Sequence, residues 1–81
     1  MFEQAWQQLT LSQRGPLRAL VLEQGREVLS AGVRTRHRLA SASSVQSALL
    51  ALVRADLVTK DGPRYTMVDS LFREWVARKT Y

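Results

Sequence analysis

"ASASSVQSALLALVRADLVTKDGPRYTMVDSLFREW", residues 40–75, contains the change of period that decides the fold. Val45, Ala48, Leu49, Leu52 and Val53 recur at helical spacing, and Ser41 stands where a cap belongs. The spacing predicts a helix from Ala42 to about Ala55. Beyond it the repeat shortens. "LVTK" and "RYTMV" are β-branched or aromatic, and the "DGP" between them is turn chemistry, so a two-stranded hairpin follows. Asp69 then stands as the cap of a last helix, "SLFREWVARK", predicted to face Leu71, Phe72, Trp75 and Val76 toward the core.

Upstream, Phe2 to Leu9 reads as a short helix with Phe2, Trp6 and Leu9 on one face. Ser12 is a candidate cap for a second helix running to about Gln24, with Leu17, Leu20 and Val21 inward and Gly25 ending it. Pro16 leaves two readings of that start. Either Gly15 caps and Pro16 takes the first helical position, or the first turn is distorted. Ser30 caps a third helix from about Ala31 to His37. Three helices and a hairpin, with the last two helices joined by a tight turn, make a winged helix-turn-helix. The fold class is therefore α+β and mostly helical, with a two-stranded wing and an additional C-terminal helix. We expect one domain over residues 1–81: an N-terminal helix in 1–10, a winged-helix core over 12–68 and a C-terminal helix over 69–79.

Composition narrows the chemistry. Apolar residues are 46% of the 81, enough to bury a core at a length near the lower limit for an unstapled domain. With no cysteine and a single histidine, His37, neither a disulfide framework nor a thiolate or histidine-rich metal site is available, and no cofactor is expected. Twelve basic against seven acidic residues favour polyanionic partners. The longest purely apolar run, Ala48 to Val53, is far too short to cross a bilayer, and the acidic, glutamine-rich "MFEQAWQQL" is not a signal peptide. No membrane contact is expected, and a cytoplasmic location is.

The stretch "LASASSVQSALLALVRADLV" together with "YTMVDSLFREWV" resembles the C-terminal winged-helix domain of archaeal-type prokaryotic P-loop ATPases. The tails of these AAA-like enzymes commonly carry an SSVQ-x-AL helix, a hairpin and a Y-x-x-x-DP-[LF]-F-x-x-W ending. The most specific match is Ser43, Ser44, Val45 and Gln46 combined with Tyr65, Asp69, Phe72 and Trp75, and the likeness spans roughly residues 10–78. Two positions depart from the pattern. Ser70 stands where the family usually has proline. Arg38 stands where a glycine commonly ends the preceding helix, at an expected extra cost of about 1 kcal/mol. The resemblance implies an ATPase domain upstream. This chain has no G-x-x-x-x-G-K-[ST] loop, carboxylate pair or nucleophile with a base, so it is not read as an enzyme and no small-molecule substrate is expected.

In a winged helix the second helix of the turn reads the major groove with residues near its N-terminus. Here that helix carries no charge from Ala40 to Val53. Its candidate contacts are Ser43, Ser44, Gln46 and Ser47, beside Ser41, Ala42 and Leu50. Serine hydroxyls at a helix start can hold phosphate, and Gln46 can read an adenine; the serines can equally serve only to cap. Arg34, Arg36 and Arg38 precede the helix, Arg54 ends it, and Lys60 and Arg64 frame the hairpin. From Ala31 to Arg64 there are six basic residues against two acidic ones. As a group they suit phosphate contacts; singly, each suits a solvated face. His37 reads as a half-buried packing residue, and Trp6, Phe72 and Trp75 as core. Leu50 lies off the inward stripe, where an exposed leucine suits a protein partner better than a DNA groove.

Two function classes follow. The first is a module for double-stranded DNA, contacted through the helix at 42–55, the flanking arginines and the wing. The second is a protein-interaction or autoinhibitory module that packs on the upstream ATPase domain or on a partner protein.

Overall fold

The computed structural model describes residues 2–79; Met1, Thr80 and Tyr81 of the expected 1–81 span lie outside the described residues. Its elements are α1 (Phe2–Gln7), α2 (Leu11–Leu22), α3 (Ala31–Arg36), α4 (Ala42–Arg54), β1 (Val58–Asp61), β2 (Arg64–Met67) and α5 (Ser70–Lys79). This is the expected order: a helix-turn-helix in α3 and α4, a two-stranded wing, and an additional helix at each end. β1 and β2 pair antiparallel with Val58 opposite Met67 and Asp61 opposite Arg64. The turn between them puts Gly62, at φ 63°, before Pro63, a pairing suited to a two-residue hairpin. The Thr59 and Thr66 hydroxyls meet across the ladder at 2.9 Å.

Three helix starts hold the expected caps. Ser30 Oγ accepts from the Val33 amide at 3.2 Å and Ser41 Oγ from the Ser44 amide at 3.3 Å. Asp69 Oδ1 accepts from the amides of Leu71 and Phe72 at 2.8 and 3.3 Å. The start of α2 differs from expectation. Thr10, not Ser12, is the cap residue; its amide donates to Gln13 Oε1 at 3.0 Å, and its hydroxyl pairs with that of Ser12. With the start two residues earlier, Pro16 falls inside the helix, so neither reading of its position holds. It removes one backbone donor and leaves its ring buried.

The helix ends share one device. Behind α2, α3 and α4, residues Gln24 (φ 57°), Arg38 (φ 56°) and Asp56 (φ 62°) are left-handed. The next amide, of Gly25, Leu39 or Leu57, then reaches back to the carbonyl of Leu20, Arg34 or Leu52 at 2.7–3.1 Å. These are Schellman ends built without glycine at the left-handed position. Gly25, expected to end α2 itself, comes one residue later at φ 78°, and a Cβ there would overlap the Tyr65 carbonyl oxygen.

Helix α2 is the central strut and packs against α4, α5 and β2. Leu17, Leu20, Val45, Leu49, Leu52, Val58, Tyr65, Phe72 and Val76 are all buried in one continuous core. Phe2, Trp6, Phe72 and Trp75 form an aromatic cluster between α1 and α5, with centroids 5.3–6.3 Å apart in four pairs. Leu71 was expected in the core and is 65% exposed instead. The inward stripe of α5 is Phe72, Trp75 and Val76, and Leu71 lies about 100° round the helix from Phe72. Among the described residues no helix is long and apolar enough to cross a membrane.

Candidate functional site

The exposed face of α4 is defined by what the helix buries. Val45, Ala48, Leu49 and Leu52 face α2 and the wing, so Ser43, Ser47, Leu50 and Arg54 fall in one line on the opposite side. Ser43, Ser44, Gln46, Ser47 and Arg54 are exposed. Leu50, expected to be exposed, is half-buried in the middle of that line. At the top of the helix the Ser41 hydroxyl lies 3.1 Å from that of Ser44 and 3.3 Å from that of Ser43. The serines thus cap and cross-link the first turn while Ser43 and Ser44 stay open to solvent.

The six flanking cations divide into two groups. Arg34 is half-buried, with Nε donating to the Leu29 carbonyl at 3.1 Å. Arg36 Nη1 lies 2.6 Å from Glu23 Oε2. Arg64 Nη2 reaches the Gln24 carbonyl at 3.4 Å. These three tie the turns of the helical core together. Arg38 and Arg54 are exposed, and their guanidinium groups have no hydrogen-bond or ion-pair partner among the described residues. Lys60 is exposed on the wing, its ammonium 5.9 Å from the centre of the Tyr65 ring.

Sequence reasoning missed Glu23 altogether. Its carboxylate receives both Arg36 and His37, whose Nε2 lies 2.9 Å away, so His37 is a hydrogen-bonded link between α2 and α3 and not merely packing. Hydrogen bonds from His37 and then Arg36 hold the Glu23 carboxyl below its ordinary value. No local pattern announces this cluster, since 13 and 14 residues separate its members.

The exposed line on α4, the exposed wing and the helix-turn-helix before them are matched as a unit: the sequence model described as "Probable winged helix domain" covers residues 1–78. The chain belongs to this family. Winged helix domains commonly bind DNA or proteins and are typically non-catalytic. No curated protein and no solved structure matches the chain. Among the described residues no group of three or more His, Cys, Asp or Glu side chains could hold a metal ion.

Proposed function

We propose that this winged helix domain binds duplex DNA through the exposed line of α4, with Arg38, Arg54 and Lys60 on phosphates and Gln46 and Ser47 at base edges. The observation that supports it is the outward face of α4. Apart from half-buried Leu50 it is polar and uncharged where base edges would lie, and it is bracketed by exposed cations that have no carboxylate partner. Ser43 and Ser44, at the helix start, are placed for a phosphate at the positive end of the helix dipole. Arg34, Arg36 and Arg64 are engaged in holding turns in place, so their contribution to binding is mainly through positioning.

Few base contacts make a weakly selective binder, with an expected Kd of about a micromolar or poorer at physiological salt. The resemblance to P-loop ATPase tails supports reading the domain as the C-terminal module of such an enzyme, acting in the cytoplasm. The second reading, a module that packs on the ATPase domain or a partner protein, draws on one observation: Leu50 sits at the middle of the exposed line of α4. Fluorescence anisotropy of a labelled duplex tests the first reading. Binding that weakens in Gln46→Ala with an altered sequence preference supports it. No binding even at low salt, with Leu50→Asp abolishing association with an ATPase domain, transfers the function to the second.

A further inference from the structure

A groove of about 500 Å³ opens between the first half of α2 and the turn that joins α3 to α4. Its floor is apolar: Trp6, Pro16 and Val45 are buried beneath it, and Leu39 is half-buried. Leu11 stands at its lip with 82% of its surface exposed. Its rim is cationic, formed by Arg14, Arg18, Arg38 and Lys79, and no described residue lining it is acidic. Two of these cations are committed. Arg14 donates to the carbonyls of Trp6 and Gln7 at 3.2 and 3.3 Å, and Lys79 lies 3.5 Å from Glu3. Arg18 and Arg38 are exposed, and their guanidinium groups are without a hydrogen-bond or ion-pair partner among the described residues.

We propose that this groove docks an extended acidic segment of a partner protein, seating one bulky apolar side chain against Leu11 and Leu39 and its carboxylates on Arg18 and Arg38. A concave site with an apolar floor and convergent cations fits a peptide anchor, whereas a duplex presents phosphates on a convex surface and has nothing to place on the floor. The rim without an acid gives the charge complementarity that selects an acidic partner over a neutral one. The inference does not rest on the duplex reading. The groove borrows Arg38 and Ser44 from that surface, so segment and duplex would exclude each other.

The test is an anisotropy titration of the full chain with a fluorescein-labelled peptide carrying a Leu-Phe pair among aspartates and glutamates. A second peptide has the pair replaced by serines. The first peptide should bind saturably, and the second roughly tenfold more weakly. Arg18→Glu should lower affinity for the first peptide by roughly tenfold, Arg18→Gln by less, and Leu11→Ser by several-fold. Arg18 and Leu11 are exposed, so unchanged melting curves are expected and would separate lost docking from lost folding. Lys60→Glu should weaken duplex binding and leave the peptide titration as it was. Equal binding of the two peptides, or no change in Arg18→Glu, would overturn the proposal. Absence of duplex binding in the parent would count against the DNA reading alone.

Discussion

The division of the flanking cations sets the salt dependence of DNA binding. If all six contacted phosphates, the affinity would fall with a slope above five in log–log coordinates, at about 0.9 per contact. The structure leaves Arg38, Arg54 and Lys60 for that work, because Arg34, Arg36 and Arg64 are bonded to Leu29, Glu23 and Gln24. Three contacts give a slope of about 2.7, so raising salt fourfold should weaken binding roughly 40-fold. Substituting Arg54 by alanine should lower the slope to about 1.8 and cut the same salt effect to roughly 12-fold. Lys60→Ala should do the same, and the two together should leave a slope near one. Arg36→Ala should leave the slope close to the parent's and lower the melting temperature instead. Anisotropy titrations of one duplex over a series of salt concentrations measure every slope named, and a thermal melt measures the Arg36→Ala shift. A parent slope near five, or an Arg36→Ala slope reduced as much as that of Arg54→Ala, would refute the division of labour.

Gly25→Ala should destabilise the domain by roughly 2–4 kcal/mol, since the residue is left-handed at φ 78° and the added methyl meets the Tyr65 carbonyl; urea unfolding measures it. Asp56→Gly should stabilise by about 0.5–1 kcal/mol, because glycine takes the left-handed C-terminal position of α4 without strain, and a lower midpoint would contradict the Schellman account. Phe72→Ala should cost about 3–5 kcal/mol, while Trp75→Ala, which removes a half-buried ring, should cost about 2–3. Glu23 has a lowered carboxyl, so it contributes stability that is fully present above its ordinary value of 4.5 and is lost as pH falls through the lower folded value. Thermal melts of parent and Glu23→Gln should therefore differ by a constant amount at neutral pH and converge in strong acid; a gap that widens on acidification would reverse the sign of the argument.

The parts of this fold legible in the sequence are those whose physics is local. Ser30, Ser41 and Asp69 each satisfy an amide two or three residues away, and the inward stripe of α4 repeats within one helix, so both leave a short-range pattern. The wing is equally plain, because its strands are joined by a glycine–proline turn. The left-handed ends of α2 and α4 are less legible, although the extent of α4 is plain. Their left-handed residues are Gln24 and Asp56, where glycine would have been the signal, and only Arg38 is marked by the pattern it departs from. Leu71 was misplaced because four apolar or aromatic residues in seven overfill the inward stripe of a short helix. At the candidate site the residue types were visible, but their engagements were not. Whether an arginine reaches solvent or a carbonyl five or forty residues away depends on the packed turns, and nothing near it in the sequence records that.

The aromatic contact of α1 with α5 brings the two ends of the described chain together. Phe2 and Phe72 stack at 5.3 Å, and Glu3 and Lys79 pair at 3.5 Å beside them. The backbone is therefore nearly a closed ring, and a cut in one of its exposed turns leaves the core contacts in place. A circular permutant joined across α5 and α1 by a short flexible linker and opened at Gly62–Pro63 would retain the stacked rings and the buried contacts of α2 with α4. The same closure couples the ends in time. The amides of α1 and α5 should exchange with solvent as one cooperative unit, since neither helix can lift away without unstacking the other.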